Sequence, residues 1–312
     1  MSFNVSGLST YTDEVSGELI AKAVLVGNTV DRVSIQPGIK GSQTLNLLDN
    51  TLVLQAAACG FNTSGSVNLT QRTLTVSGIK VNETLCPADL DNYFLGQKLR
   101  PGSINDNVPE EEKIVDKYVK EIQSANEALI WRGNTSSTNP NLARATGLLQ
   151  IVSASYAASE GVLVPNASTG SITLSNVDDK VEAMVDNIPT AIMEQEDLTL
   201  FVPYSVFNLY VQKLRNDNLF HYPTATAGEF EMMIPGVAAK VQLVATAGLN
   251  STSAMVLSSA KNLFVGTDLL DETDNLRMWY SEDNDEVRFR ANYKLGTQVA
   301  YPDFVVWNGT IS

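Results

Sequence analysis

The sequence predicts a mixed α+β fold with one long helix, two shorter ones and a long protruding β-hairpin, on three observations. Asn107-Val108-Pro109-Glu110-Glu111-Glu112 sets a cap, a first-turn proline and three carboxylates at a helix start. Residues 39–84 are rich in Thr, Val, Leu and Asn, with strand-like runs separated by glycine. From Met278 to Leu295 apolar and polar residues alternate, the period of a half-buried sheet.

Taken in order, Ser16 to Val26 opens on a capping serine and carries Leu19, Ile20, Ala23 and Val24 before Gly27 and Asn28, the pattern of a short helix. Val30 to Ile35 sets Val33 and Ile35 against Arg32 and Ser34, a strand closed by Pro37-Gly38. Leu45 to Ala58 and Val67 to Val81 read as the two strands of the hairpin. Its middle, Gly60-Phe61-Asn62-Thr63-Ser64-Gly65, is too polar and glycine-rich to bury and forms the exposed tip.

The long helix runs from Pro109 to Trp131 on a stripe of Ile114, Val115, Tyr118, Val119, Ile122, Ala125, Leu129 and Ile130, and Arg132-Gly133 ends it. A Ser/Thr/Asn-rich loop (134–141) and an apolar patch, Gly147-Leu148-Leu149, follow. A second helix starts from a cap at Ser175 or Asn176 and runs to about Asn187 on Val177, Val181, Met184, Val185 and Ile188. Pro189 interrupts it, with a short continuation to about Glu194.

Leu198 to Val202 reads as a buried strand, and Ser205 caps a third helix carrying Phe207, Tyr210, Val211 and Leu214. Strands then dominate: Val241 to Thr246, Met255 to Leu257, Leu263 to Val265, and a hairpin. In the hairpin Val287, Phe289, Ala291, Tyr293 and Leu295 pack, while Arg288, Arg290, Asn292 and Lys294 stay wet. Its turn is Glu282-Asp283-Asn284-Asp285.

Composition bounds the function. The chain has 312 residues, 44% hydrophobic and 18% charged, enough for one large or two modest domains without staples. Its net charge of −14 repels phosphate backbones, and Lys and Arg are scattered singly, which argues against sequence-specific nucleic-acid binding. The N-terminus lacks a secretory pattern, so synthesis in the cytoplasm is expected, and no apolar run reaches the ~20 residues of a membrane span. Without a secretory signal, the Asn-X-Ser/Thr triplets, at Asn62 and Asn134 for example, read as a by-product of composition. Cys59 and Cys86 are too few for a disulfide scaffold or a structural zinc site. They read as small buried hydrophobes, with one bridge open to them if the fold brings them together.

Chemistry is not signalled. Phosphate-cradling glycine motifs and a G-x-S-x-G elbow are missing from the sequence, and His221, the only histidine, lies in an aromatic stretch and reads as structural. Glu282 to Glu286 lacks the glycine and ligand spacing of an EF-hand and reads as a solvated turn. Glu110 to Glu112 serve the helix dipole. No catalytic, cofactor-binding or metal-ligating residue is assigned, and no cofactor is expected.

The order of elements resembles the HK97-fold major capsid proteins of tailed bacteriophages, across nearly the whole chain. The texture is most specific in Asp197-Leu198-Thr199-Leu200-Phe201-Val202, Ile234-Pro235-Gly236-Val237, Asn262-Leu263-Phe264-Val265-Gly266-Thr267-Asp268 and Met278-Trp279-Tyr280-Ser281 through Tyr301-Pro302-Asp303. The arm and Leu85-Cys86-Pro87-Ala88-Asp89-Leu90 look similar to coat proteins of crAss-like gut phages. The resemblance implies an N-terminal arm at 1–35, an E-loop hairpin at 36–84 and a P-domain at 85–175 with its spine helix at 109–131. An A-domain at 176–260 and return strands of the A- and P-domains at 261–312 complete it.

It further implies a non-enzymatic subunit that self-assembles into pentamers and hexamers, forming an icosahedral head around double-stranded DNA. Assembly would take place in the host bacterial cytoplasm and the product would be a virion. Portal, scaffold and decoration proteins are the implied partners, without a membrane. The chain begins almost at the arm, so scaffolding is expected from a separate protein or not at all, and no Lys and Asn pair matches the family's crosslinking site. An E-loop with Leu45, Leu47, Val53 and Leu54 is best satisfied by lying over a neighbouring subunit. The rival readings are an encapsulin-type nanocompartment, a β-rich adhesin or glycan-binding module, and a hydrolase using paired carboxylates.

Overall fold

A computed structural model of the chain describes residues 27–51, 53–55, 57, 65–85, 110–194, 197–217, 230–237, 239–268, 276–284 and 286–310. The helix expected at Ser16 to Val26, the hairpin tip at 60–64, both cysteines, the Asn107-Val108-Pro109 cap and His221 lie outside them.

Helix α1, Glu110–Arg132, is about 35 Å long at ~1.5 Å per residue. The predicted stripe holds: Val115, Val119, Ile122, Leu129 and Ile130 are buried, and Trp131 joins them with no exposure. It packs on a five-stranded sheet of β1 (Ser34–Gln36), β4 (Ser77–Leu85), β9 (Leu263–Thr267), β10 (Leu276–Ser281) and β11 (Glu286–Val299). β11 is the spine of that sheet, paired antiparallel with β4, β9 and β10, and its Val287, Phe289, Ala291, Tyr293 and Leu295 are buried as the alternation requires.

Gly147-Leu148-Leu149 is more than a patch, for it opens helix α2, Leu148–Ala157. Leu148, Leu149 and Val152 all enter the α1 core, a helical spacing compressed into a run too short to separate from a strand by pattern.

A second sheet, in the order β12 (Val306–Trp307), β8 (Val256–Ser259), β5 (Leu198–Val202), β7 (Val241–Ala245) and β6 (Glu231–Met233), carries helices α3, Val177–Asp186, and α4, Tyr204–Asn216. The helix α3 cap position is Asn176, whose Oδ1 accepts from Thr173 N–H at 2.7 Å instead of from the helix itself. Helix α4 starts two residues earlier than expected, capped at Pro203 and not at Ser205. The continuation beyond Pro189 is a turn, with Ile192 N–H bonded to Pro189 O at 3.0 Å. Strand β5 is buried on both faces: Leu198, Leu200 and Val202 face the α3–α4 core, and Phe201 faces Trp131 with ring centroids 5.0 Å apart.

Two strand readings are corrected. Val30–Arg32 is one turn of 3-10 helix, held by Asp31 N–H to Gly27 O and Arg32 N–H to Thr29 O, and the strand is only Ser34–Gln36. The hairpin pairs β2, Ser42–Thr51, with β3, Ser66–Thr75, but Val67 to Val81 is not one strand. Val76 breaks it: its N–H bonds Gly41 O, its side chain enters a small core with Ile39 and Leu74, and β4 continues into the β11 sheet. The apolar positions change phase there, from Leu74 and Val76 to Ile79 and Val81 with Gly78 between, a trace of the boundary that reading one continuous strand passes over.

Candidate assembly surfaces

The β2–β3 hairpin has two unlike faces. One carries Leu45, Leu47, Arg72 and Leu74 and is turned toward the molecule: Leu47 and Leu74 are buried and Leu45 packs on the small root core. So Leu45 and Leu47, expected to await a neighbour, are satisfied within the chain. The other face holds Leu48 opposite Leu69, 57% and 76% exposed, with Val67 also exposed two residues along β3. Beside them Gln71 donates to Asn46 Oδ1 at 3.0 Å. Val53 and Leu54 are exposed beyond the strand end, Leu54 almost completely, in agreement with the sequence reading. Apolar side chains in that number on a two-stranded ribbon are costly to leave in water, at ~25 cal/mol per Å².

The root of this hairpin is fixed. Gln298 Nε2 donates to Thr73 O at 2.7 Å, Lys294 Nζ to Lys40 O at 2.8 Å, and Arg72 pairs with Glu160 just after α2. The Ser155 hydroxyl, and after it the Arg72 guanidinium, hold the Glu160 carboxyl below the usual carboxylate range. Gly296 lets the β3–β4 corner cross β11, since a Cβ there would overlap Thr75 O.

Scattered in the sequence, the basic residues of the first sheet converge in space. Pairing places Arg277 opposite Arg290, Trp279 opposite Arg288, Asn82 opposite Arg290, Lys80 opposite Asn292 and Gly78 opposite Lys294, all on the side away from α1. One wet face therefore gathers Lys80, Arg277, Arg288, Arg290 and Lys294, with a half-buried Trp279 among the three arginines. Among the described residues its carboxylates are Glu286, 2.8 Å from Arg288, and Asp268, 3.8 Å from Lys294.

Between the two sheets lies a buried polar junction. Glu127, on α1 and 7% exposed, accepts at Oε1 from Thr29 N–H (3.0 Å), Thr29 Oγ1 (2.7 Å) and Thr246 Oγ1 (3.2 Å). Trp131 Nε1 donates to Thr29 Oγ1 at 2.7 Å. Burial pushes the Glu127 carboxyl up, and these hydrogen bonds offset part of the rise. Nearby, Asn28 donates to Ala245 O at 3.2 Å and Arg32 pairs with Glu231, so residues 28–32 are latched to the second sheet. Burial likewise pushes the Tyr293 phenol up to about 12, and its hydroxyl donates to Asn126 Oδ1 at 2.6 Å, tying α1 to β11.

Glu282, Asp283 and Asn284 are exposed turn residues, and no His, Cys, Asp or Glu cluster able to hold a metal is found among the described residues. A shallow cleft of about 330 Å³ beside α1 is lined by Glu121, Arg132, Asn139 and Asn141 among others, with Glu121 as its one carboxylate, short of the pair that acid–base hydrolysis uses. No described helix is long and apolar enough to cross a membrane.

No protein-family model matches the chain, and no curated protein matches it. Solved structures do. A chain of the satellite phage P4 procapsid, in a structure that includes the size determination protein, superposes with a TM-score of 0.58 at 15% identity, over 98% of this chain and 92% of that one. A chain of the capsid of an empty GTA particle gives 0.58 at 12% identity, over 92% and 89%. A chain of Gordonia phage Cozz gives 0.57 at 10% identity, over 90% and 85%. At these identities the likeness is one of fold: the chain has the α+β fold of phage capsid proteins along nearly its whole length. Of the segments that carry the finer resemblance to crAss-like coat proteins, the arm at 1–35 and Leu85 to Leu90, residues 1–26 and 86–90 lie outside the described residues.

Proposed function

We propose that the chain is the major capsid protein of a tailed bacteriophage, a non-enzymatic subunit that self-assembles through pentamers and hexamers into an icosahedral head around double-stranded DNA. The hairpin face of Leu48, Val67 and Leu69 carries this reading. A ribbon of two strands has no second layer of its own to cover that face, and a neighbouring subunit supplies one. On this reading β2–β3 is the E-loop and α1 the spine helix. The α1–β11 core is the P-domain and the α3–α4 core the A-domain, with residues 1–35 as the arm and 261–312 returning through both cores.

The acidic balance fits a wall that holds DNA without gripping its sequence. Portal, scaffold and decoration proteins are the further partners this role implies, and the virion is its destination after assembly in the host cytoplasm.

The test is negative-stain electron microscopy of the purified chain beside size-exclusion chromatography. Closed shells, or rings of five and six subunits, are the expected products. A chain that stays monomeric when concentrated with a crowding polymer, and binds glycans tightly on an array, overturns the reading.

A further inference from the structure

The basic sheet face is the feature that the shell reading does not by itself explain. The chain carries −14 overall, yet Lys80, Arg277, Arg288, Arg290 and Lys294 stand on one face with Trp279 among them, against Glu286 and Asp268. Arginine around a partly sheltered tryptophan is the composition of an interface anchor. Arg277, Arg290 and Lys80 are exposed.

A complementary surface exists on the same chain. Helix α3 turns Val177, Val181, Met184 and Val185 into the second core and leaves Asp179, Glu182 and Asp186 exposed at helical spacing. None of the three has an ion pair with a described residue, whereas Asp178 on the same helix is bridged to Lys213 at 3.3 Å. The acidic stripe belongs to the α3–α4 core and the basic face to the sheet under α1, so the two are carried by different layers of the subunit.

We infer that the basic β4–β10–β11 face is a docking surface for a second copy of this chain, which presents the acidic outer stripe of its helix α3. Like-charge repulsion opposes a contact that sets the basic face against itself, so the face pairs with the acidic stripe, and the shell reading calls for that pairing to run head to tail from one copy to the next. Repeated, it closes into a ring or extends, which suits the shell on which this inference rests.

The experiment is a charge swap in the full chain, read by size-exclusion chromatography and negative-stain microscopy at low and high salt. Arg288→Glu with Arg290→Glu, and separately Glu182→Lys with Asp186→Lys, are each expected to lower the assembled fraction about tenfold or more. All four changes in one chain, or an equal mixture of the two double variants, restore assembly. Thermal melts within a few degrees of the parent show that each variant folds.

Unimpaired assembly of the R288E/R290E variant overturns the inference and leaves the shell reading intact. Loss that neither the quadruple variant nor the mixture restores also overturns it. If that same variant loses retention of duplex DNA that the parent subunit shows, the face serves phosphate instead. No assembled product from the parent or any variant counts against the shell reading itself, and this one falls with it.

Discussion

The hydroxyl of Thr29 donates to Glu127 Oε1 at 2.7 Å while accepting from Trp131 Nε1 at the same distance, so one side chain from the start of the described chain bridges two positions of the long helix. The three donors to Glu127 among the described residues converge on Oε1, and Oε2 faces Gly27. A proton, or an amide nitrogen, can occupy the Oε2 side without displacing a donor.

That geometry fixes a pH dependence. Burial raises the folded-state Glu127 carboxyl above its unfolded value, so its contribution is full below the unfolded carboxylate range and is lost as pH rises through the raised value. Glu127→Gln keeps the Oε1 acceptor and removes the buried charge. Its melting temperature should match or exceed that of the parent at pH 8, and the advantage should shrink as pH falls toward 4. Melts across that range check it, and an advantage that does not change with pH would refute the assignment.

Gly248 sits where the second sheet approaches α1, and an added Cβ would overlap both the Glu127 carbonyl oxygen and Trp131 Cδ1. Backbone stands on one side and a fully buried indole on the other, so neither yields cheaply. Gly248→Ala is expected to cost about 2–3 kcal/mol, which denaturant unfolding would measure as a lower midpoint with an unchanged slope.

Gly296 plays the corresponding part at the hairpin root, where a Cβ would overlap Thr75 O. Gly296→Ala should push the β3–β4 corner off β11 and loosen the Gln298 to Thr73 bond. Hydrogen exchange is expected to speed up across β2 and β3 more than across α1, and a uniform change over both would mean the corner is not a separate hinge.

What was legible in the sequence follows from the range of the forces involved. The α1 stripe and the Val287 to Leu295 alternation are local periodicities, and both are present where expected. Helix α2 was missed because Leu148-Leu149-Gln150-Ile151-Val152 is a short apolar run that fits either period. The β3–β4 break leaves only a one-residue slip in the alternation, between Val76 and Ile79, and its cause is remote, since β4 finds its partner in β11 some 200 residues later.

The surfaces were harder still. Lys80 and Arg290 become neighbours only through strand register, and nothing in their spacing signals a shared face. Glu127 reads as one more acid on a helix, since its partners Thr29 and Thr246 lie 98 and 119 residues away. Leu45 and Leu47 are read from the sequence as awaiting a neighbour; alternation sets them opposite Leu48, and only the folded chain shows which side of the ribbon is turned in.

That last distinction gives the most direct separation of folding from assembly. Leu48 and Leu69 face each other across the ribbon on its wet side, so replacing both with serine removes apolar surface that the isolated subunit does not bury. The melting temperature of the free subunit should move little, because exposed substitutions rarely exceed about 0.5 kcal/mol. Assembly should suffer heavily: each leucine buried against a neighbour contributes about 1.5–3 kcal/mol, repeated at every contact of a shell. The control is Leu47→Ser on the opposite face, where Leu47 is already 8% exposed in the monomer, and there the melt should fall first. Normal shells from L48S/L69S would show that this face is not the one a neighbour covers.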